Sequence, residues 1–361
     1  MGLREEFELA VDAVKEIDFT TCALTDINVF ETTIRYLGGF LGAYDISEGK
    51  YPQLLAKATE MGDMLYKAFD TPNRMPVTRW NFRKAVAGDR QKAGSSTLVS
   101  EIGSLSLEFT RLSQATGDPK FFDAIQRIMD IFDAQQNMTK LPGMWPVVVN
   151  AESLDFTDYG GFTIGGMADS LYEYLPKVRS LPIWILECIS NRKQQHMLLG
   201  GGSQQYRKLY LDSMVPMKRH IFYRPMTKSG ENIRFAGNVN TDGKTLPADI
   251  KTDPQAQHLG CFAGGMVAIG SKIFPDEDDM VLARQLVEGC LWGYEVSPLG
   301  VLPEIIHTVP CSNEDDCAWD EEKWHAQVKW HYGGENLPET IKKHSLPPGI
   351  AKFDDTRYIL R

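Results

Sequence analysis

The chain has 361 residues, of which 43% are hydrophobic and 24% are charged. This composition is typical of a folded globular protein and excludes an intrinsically disordered chain. The chain has 38 Lys and Arg against 48 Asp and Glu, and the resulting net charge of -10 argues against nucleic acid or an anionic membrane as its main partner. The longest apolar stretch, residues 181–189, is interrupted by Pro182 and Glu187 and is far shorter than the roughly 18 residues of a membrane-spanning helix.

Apolar residues recur at the three-to-four-residue spacing of helices through most of the chain. The predicted helices cover residues 3–16, 28–45, 51–69, 97–115, 119–135, 165–178, 181–197, 203–222, 256–273 and 277–294. A break between two of them is marked by Gly117, Asp118 and Pro119, which are typical of a helix end followed by a helix start. Strand-like pieces are brief, at 144–149 and 232–236.

The helical pattern predicts one all-α domain over residues 1–361, because no shift in composition marks a boundary. Consecutive helical hairpins either stack into a solenoid or close into a toroid. No repeat of roughly 34 or 40 residues is evident, which argues against the common solenoids. Residues 310–349 are polar and charged and are interpreted as a surface loop within this domain.

The cysteines leave two interpretations open. None of them forms a CxxC pair, so a zinc or thioredoxin-type site has little support. Cys311 and Cys317 flank a short acidic loop and could close a small ring, and Cys261 and Cys290 could join two apolar helical segments. Their spacing alone fits buried free thiols equally well.

Charged residues enter apolar, often glycine-flanked positions at several points of the chain. The candidates are Glu31, Arg35, Glu101, Asp169, His258 and Glu304. Each one alone is more typical of structure: an ion pair on a helix face, an acid at a helix start, or a core histidine. Together they suit a carbohydrate site, because glycoside hydrolysis needs one carboxyl held protonated and another held ionised.

Six motifs resemble those of the class I α-1,2-mannosidases, glycoside hydrolase family 47. They are FETTIRYLGG at 30–39, SEIGSLSLEF at 100–109, GFTIGGMADSLYEYL at 161–175, HLGCF at 258–262, LPEIIH at 302–307 and DTRYILR at 355–361. The resemblance covers essentially the whole chain. It implies an (α/α)7 toroid of helical hairpins and inverting hydrolysis of terminal α-1,2-linked mannose from N-glycans.

The resemblance also implies roles for individual residues. Glu31, Asp169 and Glu304 match catalytic acids, and the motifs leave open which of them is the general acid. The positions that match the sugar pocket are Arg35, Glu101 and His258. Cys261 and Cys290 match the disulfide pair of the family. A disulfide favours the secretory pathway (the endoplasmic reticulum or the Golgi) or secretion from the cell. We recognise no signal peptide at the start of this sequence.

Met167 stands where enzymes of the endoplasmic-reticulum type, which remove a single mannose, carry an arginine. A methionine leaves the pocket open and uncharged. We therefore expect the broader trimming of Golgi and fungal members.

The family pattern continues beyond Arg361 with a proline, a water-activating glutamate and, further on, a threonine that binds calcium. We therefore expect an incomplete toroid that lacks the last hairpins and the first partial helix, no metal ligand in this chain, and no turnover by the 361 residues themselves. The expected partner is a high-mannose N-glycan bound by a monomer. The alternatives are a non-catalytic glycan-binding relative that assists glycoprotein degradation, or an inert fragment.

Overall fold

The computed structural model describes residues 2–179, 204–333 and 346–355. Two compact units are present: Met1–Gln135, Val148–Asp158 and Lys177–Ser203 form the first, and Gln136–Val147, Tyr159–Pro176 and Gln204–Arg361 form the second. That they belong to one domain stays a prediction. The helix predicted at 181–197 and residues 356–361 of the last motif lie outside the described residues.

Helices make up most of the first unit. They are α1 (Arg4–Lys15), α2 (Val29–Thr32), a π-helical turn (Thr33–Leu37), α3 (Gly38–Ile46), α4 (Pro52–Tyr66), α5 (Phe82–Val86), α6 (Val99–Gly103), α7 (Ser106–Thr116) and α8 (Pro119–Gln135). Two antiparallel ladders accompany them: β1 (Ile27–Asn28) with β2 (Arg79–Trp80), and β3 (Thr97–Leu98) with β4 (Val148–Val149).

The packing of α4, α7 and α8 explains why these segments are helical. Gly117 ends α7 in the left-handed conformation at φ 75°, and Pro119 begins α8, as the sequence predicts. The rings of Phe69 and Phe109 lie 5.5 Å apart in the core between them. A side chain at Gly62 would collide with Leu112, so the close approach of α4 to α7 requires glycine there.

The second unit alternates helices with short antiparallel strands. Its elements are β5 (Gly161–Thr163), α9 (Asp169–Arg179), α10 (Gln204–Pro216), a π-helical turn (Met217–Ile221), β6 (Phe222–Tyr223), β7 (Phe235–Ala236), β8 (Asn238–Asn240), β9 (Lys251–Asp253), β10 (Gln255–Gln257), a 3-10 turn (His258–Cys261), α11 (Phe262–Ile273), α12 (Glu277–Val296), β11 (Ile305–Thr308), α13 (Glu321–His331) and β12 (Ile350–Asp355). The strands form the sheets β5-β8-β9, β6-β7 and β10-β11-β12.

The segment 310–349 departs from the predicted surface loop, because it contains the helix α13. Asp320 caps this helix by accepting a hydrogen bond from the Lys323 N–H. Trp324 is 7% exposed and donates its indole N–H to the Ile350 carbonyl at 2.8 Å. The loop prediction is wrong here because Trp324 and Val328, four residues apart, form a narrow apolar stripe within a polar sequence.

Two disulfides lie in the second unit. Cys261 bonds to Cys290 with a Cα–Cα distance of 5.9 Å, which confirms the pair implied by the resemblance and joins the start of α11 to α12. Cys311 and Cys317 close the small ring that their spacing allows. Within the part of the chain that the structure describes, no helix has the length and apolar character needed to cross a membrane.

The helix α13 offers a matched pair of tryptophans for a test of its packing. We expect Trp324→Ala to lower the free energy of unfolding by about 3–5 kcal/mol, because it removes a buried ring and its hydrogen bond. Trp330 is 73% exposed on the same helix, so Trp330→Ala should change the free energy by less than about 0.5 kcal/mol. Urea denaturation followed by fluorescence measures both, and equal losses would contradict the buried position of α13.

His331, in the last turn of α13, lies against β11 with its ring 4.4 Å from that of His307. Burial, with help from the His307 imidazole and the Lys352 ammonium, lowers the pKa of His331 to about 4, against the opposing effect of Asp253 and Asp354. The His331 imidazole therefore binds a proton less readily in the folded state than in the unfolded chain, where its pKa is near 6.5. The stability contributed by the neutral ring is full above that pH and is lost as the pH falls toward 4.

We expect His331→Gln to flatten this pH dependence, so that the variant loses less stability than the wild type between pH 7 and pH 5. His325, exposed on the same helix, provides the control, and His325→Gln should keep the wild-type slope. Urea unfolding at several pH values measures the slopes. Parallel slopes for wild type and His331→Gln would show that another group carries the effect.

Candidate functional site

In the first unit, Glu31 and Glu101 occupy the same kind of position. Each is the third residue of a short helix that follows a two-residue strand, β1 before Glu31 and β3 before Glu101. The Asn28 side chain accepts a hydrogen bond from the Glu31 N–H at 3.1 Å and so caps the first of these helices. The strand ladders thereby fix where each helix begins and where its acid lies.

Glu31 and Arg35 form the ion pair that their spacing predicts, with 2.6 Å between Arg35 Nε and Glu31 Oε2. The Glu31 side chain is 40% exposed, so the pair itself stabilises the fold by only a few tenths of a kcal/mol. Glu31 lines a cleft of about 1060 Å³ within this unit, together with the aromatic rings of Tyr36 and Trp80. The carboxylate is therefore held in position and open to solvent.

Glu101 is 5% exposed and is ion-paired with Arg79. Arg79 lies opposite Asn28 in the β1–β2 ladder, so its guanidinium links Glu101 to the strand that precedes Glu31. The sequence analysis missed Arg79. A buried carboxylate requires a cation or hydrogen-bond donors, so the apolar surroundings of Glu101 in the sequence already indicate a charged partner.

In the second unit, Asp169 begins α9 directly after a tight turn. The N–H groups of Ala168 and Asp169 donate to the Gly165 carbonyl at 3.2 and 2.9 Å, and Asp169 Oδ1 accepts from the Ser170 N–H at 2.8 Å. Burial, reinforced by the neighbouring Glu173 carboxylate, raises the pKa of Asp169 in spite of the Ser170 hydrogen bond. This carboxyl therefore binds a proton more readily than an ordinary aspartate does.

Met167 occupies the same turn, with a backbone φ of 75°. This region is unfavourable for a residue that has a Cβ atom, and such conformations are frequent at binding sites. The side chain is 59% exposed and carries no charge. That this opening permits broad trimming stays a prediction.

The strand pair β10–β11 lies beside that turn. Gln257, the last residue of β10, accepts a hydrogen bond from the Gly166 N–H at 2.8 Å and lies opposite Ile305. The N–H of His258 donates to the Glu304 carbonyl at 2.9 Å. The second unit thus brings the Asp169 turn, His258 and Glu304 into one neighbourhood.

Tyr294 is a further member of this neighbourhood. Its hydroxyl lies 2.6 Å from His258 Nε2, and the two rings meet edge to face. Neither Tyr294 nor Gln257 is predicted from the sequence. A tyrosine on a helix and a glutamine on a strand are ordinary residues, and only the folded chain places them against His258 and Gly166.

Among residues 2–179, 204–333 and 346–355, no group of three or more His, Cys, Asp or Glu side chains is arranged to hold a metal ion.

Comparisons with known proteins place this geometry in a family. The family model for glycosyl hydrolase family 47 matches residues 1–361. Human endoplasmic reticulum mannosyl-oligosaccharide 1,2-alpha-mannosidase is 32% identical over 308 residues, which are 85% of this chain and 39% of that protein. The mannosyl-oligosaccharide 1,2-alpha-mannosidase MNS1 of Arabidopsis thaliana is 31% identical over 303 residues, 82% of this chain and 48% of its own length. The chain thus spans less than half of these relatives.

Among solved structures, the alpha-1,2-mannosidase from Trichoderma reesei matches with a TM-score of 0.71 and 23% identity, over 96% of this chain and 65% of that one. This likeness confirms the all-α class and the α/α barrel fold, whereas the number of hairpins stays a prediction. With the family model matching from the first residue to the last, the chain belongs to glycosyl hydrolase family 47.

Proposed function

We propose that this chain recognises terminal α-1,2-linked mannose on high-mannose N-glycans and belongs to an inverting α-1,2-mannosidase. The observation that carries the proposal is the Asp169 turn, where burial raises the pKa of the carboxyl and where Gln257, the residue directly before His258, accepts a hydrogen bond from the turn. The relatives from human and Arabidopsis thaliana are both mannosyl-oligosaccharide 1,2-alpha-mannosidases, which supports the substrate class.

An inverting glycosidase uses one carboxyl that protonates the leaving oxygen and one carboxylate that activates water on the opposite face of the sugar. Asp169 suits the handling of a proton, because the fold favours its protonated form. The family motifs that Glu31 and Glu304 match also imply an acid role for each of them. His258, with its ring held by Tyr294, offers a hydrogen bond to a sugar hydroxyl.

The disulfides and the relatives also indicate the cellular compartment of the protein. The two disulfides are typical of an oxidising environment, and a relative from the endoplasmic reticulum has the same family domain. We therefore propose that the chain acts in the secretory pathway. Calcium dependence and a monomeric state are further proposals that rest on the resemblance.

The direct test of the function is calorimetric titration of the protein with α-1,2-mannobiose, compared with α-1,6-mannobiose. We expect the α-1,2 isomer to bind at least about tenfold more tightly, a difference of about 1.4 kcal/mol. Failure to bind the α-1,2 isomer would contradict the proposal.

Release of free mannose, followed by chromatography with and without a chelator, then separates the two function classes. Release supports hydrolysis, and release that the chelator abolishes supports calcium dependence. Binding without release supports the non-catalytic glycan-binding alternative. The sequence analysis expects no turnover from these 361 residues, so release by this chain would overturn that expectation.

Asp169→Asn should make the fold more stable at pH 7 while it weakens mannobiose binding. Because the folded pKa of Asp169 is raised, its contribution to stability is largest at low pH and is lost as the pH rises through that pKa. Asparagine removes this loss and still accepts the Ser170 hydrogen bond. The gain should therefore shrink toward acidic pH, where Asp169 is protonated in both states.

Asp123→Asn provides the control, because Asp123 is 55% exposed and lies in a surface ion pair with Arg127. This change should leave stability at pH 7 the same or slightly lower. Urea unfolding at pH 7 and pH 4 measures both variants. If Asp169→Asn is no more stable than the wild type at pH 7, burial does not act on this carboxyl as described.

A further inference from the structure

One side-chain amide connects two of the segments that carry the candidate residues. Gln257 Oε1 accepts the Gly166 N–H at 2.8 Å. A Cβ atom at Gly165 would lie 2.6 Å from the same oxygen, closer than real Cβ contacts occur. The pair of glycines therefore allows the amide to approach the backbone of the turn.

The backbone of Gln257 is fixed on the other side. Gln257 lies opposite Ile305 in the β10–β11 ladder, and the next residue, His258, donates its N–H to the Glu304 carbonyl at 2.9 Å. Gln257 thus belongs to the strand that ends directly before His258 and pairs with the strand that begins directly after Glu304, and its side-chain oxygen holds the turn that carries Asp169.

The turn before Asp169 requires a contact from another segment to hold its backbone. Met167 is held at φ 75°, an unfavourable conformation that persists only where neighbouring structure imposes it. Its side chain is 59% exposed, so packing of the methionine itself contributes little to holding the turn. A hydrogen bond to Gly166, immediately before Met167, acts at the strained position.

We propose that Gln257 is a positioning residue of the mannose site, whose carboxamide sets the place of Met167 and Asp169 relative to His258. The inference rests on the proposed function and deepens it, because it names a residue that shapes the pocket through the protein backbone. Gln257 itself has no assigned contact with the sugar.

The first test measures the contact without any sugar. Gln257→Leu removes the acceptor with little change in volume, and we expect amide hydrogen exchange at Gly166 to become about tenfold faster, the effect of losing one hydrogen bond. Gln257→Glu retains an acceptor oxygen and should keep the exchange slow. NMR of glycine-labelled protein reads Gly166 directly, and unchanged exchange in Gln257→Leu would overturn the proposal.

Gln255 provides the matched control. It is the same residue type two positions earlier on β10, and its side chain accepts from Asn238 at 3.3 Å. Gln255→Leu should leave Gly166 exchange unchanged. If Gln257→Leu does not fold, Gln257→Asn repeats the test, because its side chain is one methylene too short to reach Gly166.

The second test measures whether loss of the hydrogen bond between Gln257 and Gly166 weakens sugar binding. Gln257→Leu should weaken α-1,2-mannobiose binding about tenfold, Gln257→Glu should restore most of it, and Gln255→Leu should bind as the wild type does. Faster Gly166 exchange with unchanged affinity would overturn the positioning role. If the wild type binds no mannobiose, the proposed mannosidase function fails, while Gly166 exchange still decides whether Gln257 holds the turn.

Discussion

Short antiparallel ladders at the ends of helices are the constraint on which both groups of candidate residues depend. In the first unit, the pairing of Asn28 with Arg79 sets the start of the helix that carries Glu31. In the second unit, the pairing of Gln257 with Ile305 holds His258 against the Glu304 backbone. Helices supply the bulk of each unit, and these few hydrogen bonds determine where the polar side chains lie.

The carboxyl groups of Glu101 and Asp169 lie in different surroundings. Glu101 is buried with the guanidinium of Arg79 beside it, which keeps a charge in the interior tolerable. For Asp169, burial and the neighbouring Glu173 raise the pKa, so the proton is retained more readily. A carboxyl that retains its proton more readily than usual is what the general acid of a glycosidase requires.

The sequence predicts the helical part of the fold well, because the signals are local. The apolar spacing and the Gly117–Pro119 break identify α7 and α8 without any long-range information. The strand-like pieces at 144–149 and 232–236 contain β4 and β7, although a two-residue ladder is too short for its bounds to be read from alternation. Within the loop predicted at 310–349, the helix α13 at Glu321–His331 is missed because average polarity hides the apolar pair Trp324 and Val328.

The candidate site is predictable only in part. The resemblance implies the Cys261–Cys290 disulfide that the structure confirms, whereas the catalytic roles that it implies for Glu31, Asp169 and Glu304 stay predictions. Arg79, Gln257 and Tyr294 are missed because their roles exist only through tertiary contacts with Glu101, Gly166 and His258. A partner that is distant in sequence leaves no periodic or spacing signal near the residue that it supports.

The central claim is that the second unit recognises terminal mannose around the turn that Gln257 holds. A crystal structure of the protein soaked with α-1,2-mannobiose tests it most directly. The account predicts the non-reducing mannose within hydrogen-bond distance of His258 and beside the carboxyl of Asp169. Mannobiose bound at another surface of the chain, with the Asp169 turn untouched, would contradict it.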